Sequence, residues 1–323
     1  MNQKYSLLAI AILAVLLVLC LITLTIAGIA QGTNFGGSGD DDNTPVDDIN
    51  TYTIGATQAY TVAEHELLGG TLAIVNKNHK FNYIPSGLEV LYEYRNANTK
   101  EGAETAYKTS SYEKDGDVKV TAETAKFLHN MLTDLYANTK TLTYVATGYR
   151  SFAGQTNDKP AASGYSDFHT GMLVSLKGYV GTTTLDVTAE ENADMYQWLL
   201  ANAHKYGFIQ RYPAGKEAIT GVSDYLSCFR YVGVVHATYM NKNNLCLEEY
   251  VELISTEKPT VDNPMRVEIR SGSQKGYYAI YFCESTTEIQ VPKSGVAENG
   301  ESTKGFTVSG TNMGGVIVTV KLK

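Results

Sequence analysis

Cysteine is scarce in this sequence, with four residues among 323. Cys20 lies in an apolar N-terminal run, which leaves an odd number outside it: Cys228, Cys246 and Cys283. At most one disulfide bond can form among these three, so a disulfide framework is excluded as the main source of stability. No two cysteines have the Cys-x-x-Cys spacing, so the sequence offers no signature of a structural zinc site.

Basic residues are also few. Lys and Arg number 26 against 34 Asp and Glu, which gives a formal net charge of −8 and an isoelectric point near 5.3. Because nucleic-acid binding requires a basic surface that neutralises phosphates, this balance argues against a nucleic-acid partner. The hydrophobic fraction of 43% and the charged fraction of 19% are ordinary for a globular protein.

An apolar segment lies near the N-terminus. Leu7 to Ile29 contains no charged residue, and as a helix it would be about 34 Å long, enough to span a bilayer core. Lys4 precedes it, so the positive-inside rule places the N-terminus in the cytoplasm. A cleaved signal peptide is the alternative, with Gly28 and Ala30 before the cut, but signal cores are usually shorter. We therefore predict an uncleaved transmembrane anchor over residues 1–30 and folded domains outside the cytoplasm.

The rest of the chain divides into three parts by composition. Residues 31–50 contain a Gly-Gly-Ser-Gly run and three consecutive aspartates, which is typical of a flexible linker. Residues 51–257 mix helical and strand periodicities, with Thr121 as the N-cap of one amphipathic helix and a second helix over 190–206. Residues 258–323 contain only strand-like runs separated by Gly and Ser, and they predict a small all-β module.

Three short patterns follow one another in the middle of the chain. They are Thr-Gly-Tyr-Arg-Ser-Phe-Ala-Gly-Gln at 147–155, Ser-Asp-Phe-His-Thr-Gly at 166–171, and Tyr-Gly-Phe-Ile-Gln-Arg-Tyr-Pro at 206–213, leading to Phe-Arg-Tyr-Val-Gly at 229–233. In this order they resemble the signature segments of VanY-type D-alanyl-D-alanine carboxypeptidases (peptidase family M15), zinc peptidases that trim bacterial cell-wall peptides. The resemblance covers roughly 70–255. It implies an α+β fold of the LAS type, with a central antiparallel sheet and flanking helices.

The positions that should hold zinc carry other residues. A zinc peptidase needs three protein ligands, an open fourth position and a general base. In the alignment that the resemblance implies, the ligand positions hold Phe168, Ser175 and Cys228, and the base position holds Tyr225. A phenyl ring cannot coordinate a metal, and a serine hydroxyl is a poor zinc ligand. We therefore expect no zinc, no other cofactor and a catalytically inactive site.

A displaced zinc site is the alternative, and it would make the protein an active metallocarboxypeptidase of stem peptides. Asp167, His169, Asp224 and Cys228 are the residues that could form it. Shifting the alignment by one residue to use His169 places Leu176 where the family has Asp. Using Asp224 requires moving a strand residue by one position, which reverses the direction of its side chain.

The substrate-binding positions are better retained. Arg150, Gln155 and Ser166 occupy positions that in the family hold the terminal carboxylate and backbone of the peptide. A planar guanidinium can hold a carboxylate through two charge-assisted hydrogen bonds. The simpler interpretation is that Arg150 and Gln155 only stabilise their loop. Arg211 and Arg230 also match the family, and we expect a structural role for both.

These features predict a membrane-anchored, extracytoplasmic pseudopeptidase that binds a peptidoglycan stem peptide or an envelope protein. A purely structural envelope protein that keeps the fold without a ligand is a third interpretation. Zinc content separates the active enzyme from the other two, and peptide binding separates those two from each other. We also predict that Cys228 is a partly buried free thiol rather than half of a disulfide bond with Cys246.

Overall fold

The computed structural model describes residues 49–109, 117–155, 161–223, 225–293, 295–296, 302–303 and 305–322. The predicted anchor and nearly all of the predicted linker lie outside the described residues, so both stay predictions. Among the described helices, none combines the length and the apolar character needed to cross a bilayer. Asp48–Lys323 forms one compact unit.

Helices and strands are interspersed as far as residue 257, and only strands follow in the described chain. The helices are α1 (Glu64–Leu68), α2 (Leu91–Asn98), α3 (Ala122–Thr139), α4 (Ala193–Asn202), α5 (Glu217–Thr220), α6 (Val234–Lys242) and α7 (Leu247–Glu257). The strands are β1 (Thr57–Thr61), β2 (Leu88–Val90), β3 (Tyr107–Thr109), β4 (Lys119–Thr121), β5 (Thr143–Thr147), β6 (Leu173–Val180), β7 (Thr183–Asp186), β8 (Phe208–Gln210), β9 (Cys228–Tyr231), β10 (Met265–Ile269), β11 (Gly276–Cys283), β12 (Glu288–Pro292), β13 (Gly295–Val296), β14 (Ser302–Thr303), β15 (Phe306–Gly310) and β16 (Val316–Lys321). Short 3₁₀ helices cover Ile49–Thr51, Asp167–Thr170, Glu190–Asn192 and Ala203–Tyr206.

A mixed α and β fold is built around a central sheet. Its strand order is β3-β5-β6-β9-β8, with β7 beside β6. Neighbouring strands are antiparallel except β3 and β5, which run parallel. The register of β6 and β9 places Ser175 opposite Cys228 and Leu173 opposite Arg230. Residues more than fifty positions apart in the sequence therefore meet on one face of the sheet.

The helix α3 begins where the sequence predicts. The Thr121 hydroxyl accepts a hydrogen bond from the Thr124 backbone N–H at 3.4 Å, as an N-cap does. The helix ends at Lys140, which adopts a left-handed conformation with φ of 58°. Its buried apolar side chains recur at helical spacing and face the core: Ala125, Leu128, Met131, Leu132 and Leu135.

The second predicted helix, over 190–206, is not continuous. It consists of a 3₁₀ turn (Glu190–Asn192), then α4, then another 3₁₀ turn (Ala203–Tyr206). The Asn192 side chain donates hydrogen bonds to the carbonyl oxygens of Leu185 and Asp186, so the first turn is held to the preceding strand. Gly207 ends the segment with φ of 82°, which glycine adopts without strain.

The described residues after position 257 contain strands and no helix. Strands β10, β11, β16 and β15 form an antiparallel sheet in that order. Side chains of this sheet belong to the same buried cluster as Leu128 and Phe229 of the preceding part: Val267, Ile269, Tyr278, Ile280 and Ile317. Strand β1 also pairs with β12. The segments before and after residue 258 therefore share one hydrophobic core.

His236 joins this C-terminal sheet to two helices. It lies in α6, and its Nδ1 is 2.6 Å from the Tyr250 hydroxyl of α7. Its Nε2 is 3.0 Å from Oγ1 of Thr319 in β16. Burial lowers the pKa of His236 to about 3. The imidazole is therefore neutral at physiological pH, with one nitrogen donating a hydrogen bond and the other accepting one.

We predict that His236 makes the protein less stable as pH falls below neutrality. Its pKa is lower in the folded than in the unfolded state, where it is about 6.5, so the unfolded chain binds the proton first. The stabilisation from neutral His236 is fully present above about pH 6.5. It is lost as the pH falls towards the pKa of His236 in the folded state, at up to about 1.4 kcal/mol per pH unit. Denaturant unfolding at pH 7, 6 and 5 should show a shallower pH dependence for His236→Gln. Equal slopes in the two proteins would contradict this assignment.

Candidate functional site

The 3₁₀ turn Asp167–Thr170 carries a buried ion-pair network. Arg211 donates from Nε to Oδ2 of Asp167 at 2.6 Å, and Arg230 donates from Nη1 to Oδ1. The three side chains have no exposed surface. Arg211 directly follows β8 and Arg230 lies in β9. One carboxylate therefore fixes the turn to two neighbouring strands.

Glu248 at the start of α7 balances the charge of this network. Its carboxylate accepts hydrogen bonds from Nη2 of Arg211 at 2.7 Å and from Nη1 at 2.9 Å. Asn76 donates from Nδ2 to the same carboxylate at 3.1 Å. Burial alone would raise the pKa of Glu248, but the Arg211 guanidinium holds this pKa below its usual value. Two guanidinium groups and two carboxylates thus compensate one another, as buried charges must.

The sequence does not reveal this network by itself. Arg230 lies in a strand whose other residues are Cys, Phe and Tyr, which signals a buried charge that requires a carboxylate partner. That partner, Asp167, is 63 residues away, and Glu248 is 37 residues from Arg211. Both arginines have the structural role expected of them, but only the folded chain identifies their partners.

The positions aligned with the zinc ligands and the base come together in space. Phe168 and Cys228 lie in one buried apolar cluster, and Tyr225 packs against it. The other members of this cluster are Leu173 and Tyr212, and Val222 also packs against it. Ser175 lies opposite Cys228 in the sheet, and its Oγ is 3.3 Å from Oγ of Ser227. The place that the resemblance assigns to a metal is therefore packed with apolar side chains.

The side chains found there do not form a zinc-binding set. Phe168 has no lone pair to donate. Burial, with the nearby Asp167 carboxylate, raises the pKa of the Cys228 thiol to about 12, whereas zinc binds the thiolate. In the part of the chain that the structure describes, no three His, Cys, Asp or Glu side chains are placed to hold a metal ion. The zinc that the family implies does not fit these residues.

The residues of the displaced zinc site are engaged elsewhere. Both carboxylate oxygens of Asp167 accept hydrogen bonds from arginines. Nδ1 of His169 is 2.7 Å from the Arg150 carbonyl oxygen, which can only accept, so this nitrogen carries the proton. Nε2 of His169 accepts a hydrogen bond from the Gly164 N–H at 3.0 Å. Asp224 lies outside the described residues.

Arg150 and Gln155 are brought together beside the turn. Arg150 donates from Nη1 to Oε1 of Gln155 at 2.9 Å, and Nε2 of Gln155 donates to the Ala161 carbonyl oxygen. The guanidinium carbon of Arg150 lies 4.8 Å from the centroid of the Phe168 ring. Ser166 is buried and immediately precedes the turn. Arg150 therefore adjoins the apolar cluster through Phe168 and bonds directly to Gln155, and Ser166 lies two residues before Phe168 in the chain.

Cys228, Cys246 and Cys283 are free thiols in the structure. The sequence predicts a partly buried Cys228, whereas in the structure it has no exposed surface because Phe168 and Tyr212 pack around it on the central sheet. The residue therefore behaves as a small apolar core side chain.

We predict that Asp167→Asn destabilises the protein by about 3–5 kcal/mol, because it leaves two buried guanidinium groups with one carboxylate fewer. Denaturant unfolding measures the loss. Glu284→Gln is the matched control, since Glu284 pairs with Lys258 at an exposed site and the change should leave stability unaltered. Equal stability of Asp167→Asn and the wild type would show that Asp167 is not the anchor of the network.

We also predict that the purified chain carries no stoichiometric zinc. Elemental analysis after dialysis against zinc should find a sub-stoichiometric amount in the wild type. The triple variant Phe168→His/Ser175→Asp/Cys228→His restores the family's ligand types, so it should bind more zinc than the wild type does. One tightly held zinc per wild-type chain would overturn the prediction.

Known proteins match this chain in sequence and in fold. Residues 155–234 match the family model "VanY: D-alanyl-D-alanine carboxypeptidase". A D-alanyl-D-alanine carboxypeptidase of Enterococcus faecium is 26% identical over 271 residues, covering 82% of this chain and 79% of the relative. A D-alanyl-D-alanine carboxypeptidase of Enterococcus faecalis is 36% identical over 121 residues, covering 37% of this chain and 41% of the relative.

A solved structure extends the likeness to most of the fold. The vancomycin-resistance D,D-dipeptidase VanXYg, solved with a D-Ala-D-Ala phosphinate analogue, has a TM-score of 0.60 and 22% identity. The match covers 83% of this chain and 100% of that one. At this identity the likeness shows the fold alone. The family model, these relatives and the order of the three sequence patterns together show that this chain is similar to the VanY-type D-alanyl-D-alanine carboxypeptidases.

Proposed function

We propose that this protein is a non-catalytic member of its family that binds a peptide by its terminal carboxylate. The observation that carries the proposal is the contrast between two adjacent parts of one site. Two of the three zinc-ligand positions, Phe168 and Cys228, belong to an apolar cluster, whereas Arg150 is retained beside Phe168 and bonded to Gln155. Loss of the metal set removes the activation of water, and retention of the arginine keeps a group suited to carboxylate binding.

The proposed ligand is a peptidoglycan stem peptide that ends in D-alanine. The Enterococcus faecium relative is named a D-alanyl-D-alanine carboxypeptidase, and the VanXYg structure contains an analogue of D-Ala-D-Ala. Such a peptide carries a carboxylate at one end, which the planar fork of a guanidinium can hold by two hydrogen bonds. An envelope protein with an exposed carboxyl terminus presents the same terminal carboxylate and is the alternative partner.

Catalysis by this site would need a base as well as a metal. Tyr225 stands at the base position and offers a phenol in place of a carboxylate. The displaced alternative is not favoured by the contacts of Asp167 and His169, whose polar atoms are used within the protein. We therefore propose binding without turnover.

We also propose that Leu7 to Ile29 anchors the protein in the membrane and that the folded part lies outside the cytoplasm. Support comes from the apolar length of this segment and from Lys4 before it. In this position the folded part would reach the cell-wall peptides that the proposed function requires. Protease added to intact cells should digest the folded part and leave a short membrane-bound fragment.

We predict that Arg150→Ala weakens binding of a stem peptide ending in D-Ala-D-Ala by about 10- to 150-fold, the range for a hydrogen bond to a charged group. Arg150→Lys should recover only part of the affinity, since an ammonium cannot make a two-pronged contact. Isothermal titration of the purified chain measures both. The same peptide with a C-terminal amide should bind the wild type as weakly as the free acid binds Arg150→Ala.

Arg270→Ala is the matched control, because Arg270 is largely exposed, with 78% of its side-chain surface accessible, and lies in the C-terminal part. Its affinity should equal that of the wild type. Absence of saturable binding by the wild type would favour a structural envelope protein. Zinc-dependent release of D-alanine in the same samples would establish the active peptidase instead.

A further inference from the structure

The Asp167–Thr170 turn holds Arg150 at three points. The Arg150 N–H donates to the Phe168 carbonyl oxygen at 3.1 Å. The Arg150 carbonyl oxygen accepts from Nδ1 of His169 at 2.7 Å. The Phe168 ring lies against the guanidinium, with 4.8 Å between the guanidinium carbon and the ring centroid. Backbone and side chain of Arg150 are therefore both placed by residues of this turn.

A guanidinium can stack and form hydrogen bonds at the same time. Its flat face is attracted to the negative face of an aromatic ring, while its N–H groups point outward in its own plane. In this structure the guanidinium carbon lies over the Phe168 ring, and Nη1 donates to Gln155. The ring contact therefore restricts the orientation of Arg150 and does not itself use an N–H group.

Phe168 is itself a rigid support. Only 9% of its surface is exposed, and it belongs to the buried cluster with Tyr212 and Cys228. Asp167, the preceding residue, is fixed by two buried arginines. A long side chain held against such a surface loses less conformational freedom when it binds a ligand, which strengthens binding.

We propose that Phe168 is a positioning residue that holds the Arg150 guanidinium ready for a peptide carboxylate. The inference rests on the proposed function of the same site. Phe168 stands where the resemblance expects a zinc ligand, and in this proposal it has a different role, in peptide binding. On this view the aromatic ring supports the cation that recognises the ligand, in addition to filling space.

The test is a double-mutant cycle on peptide affinity. Phe168→Leu keeps an apolar side chain and removes the ring, and it should weaken binding of the D-Ala-D-Ala stem peptide about 2- to 30-fold. Phe168→Tyr keeps the ring and should bind as the wild type does. In the Arg150→Ala background, Phe168→Leu should cause no further loss, because the effect passes through Arg150. Phe168→Met replaces the leucine variant if thermal unfolding shows that the latter does not fold.

A spectroscopic measurement on the ligand-free protein accompanies the cycle. In the wild type and in Phe168→Tyr, NMR resonances of the Arg150 side-chain protons should be shifted upfield by the ring, and the shift should disappear in Phe168→Leu. This inference would be overturned if Phe168→Leu bound the peptide as tightly as the wild type does. It would also be overturned if Phe168→Leu lowered the affinity by the same factor in the wild-type and Arg150→Ala backgrounds. Either result would leave the proposed function standing. A wild type that does not bind the peptide would remove the proposed function and the inference together.

Discussion

The ion pairs of Asp167 with Arg211 and Arg230 are the constraint on which the site depends. Burying a charge costs several kcal/mol unless it is paired and hydrogen-bonded, so these groups must meet for the chain to fold as it does. Arg211 directly follows β8, Arg230 lies in β9, and Glu248 of α7 binds Arg211. Together these ion pairs fix the position of the 3₁₀ turn. The residues that follow Asp167 in the turn contact Arg150 and are placed as a consequence.

The same scaffold places an apolar cluster on the central sheet and Arg150 beside it. Phe168 and Cys228 contribute apolar surface where the family resemblance expects metal ligands, and burial keeps the Cys228 thiol protonated. Arg150 lies against Phe168 of this cluster and donates a hydrogen bond to Gln155. A family fold does not by itself carry the family's chemistry, because chemistry depends on the side chains at the site.

Local signals in the sequence predict much of this fold. The Thr121 cap and the apolar periodicity that follows it define α3, and the Gly-separated strand runs predict an all-β end to the chain. The helix expected over 190–206 is interrupted because Asn192 bonds back to the preceding strand, a tertiary contact that periodicity does not record. For the site, the resemblance assigns Arg150 and Gln155 to one motif, and the structure shows a hydrogen bond between them. The partners of the buried arginines and the Phe168 ring beside Arg150 required the three-dimensional structure, since these contacts join separate segments.

We propose that Arg150 binds a peptide carboxylate at a site without zinc. A crystal structure of the purified protein, grown with zinc and a stem peptide ending in D-Ala-D-Ala, tests it most directly. We expect the terminal carboxylate within hydrogen-bonding distance of the Arg150 guanidinium, the Phe168 ring still against that guanidinium, and no metal near Cys228. A zinc ion held by protein side chains at this site, with the peptide bound to the metal and its carboxylate away from Arg150, would contradict it.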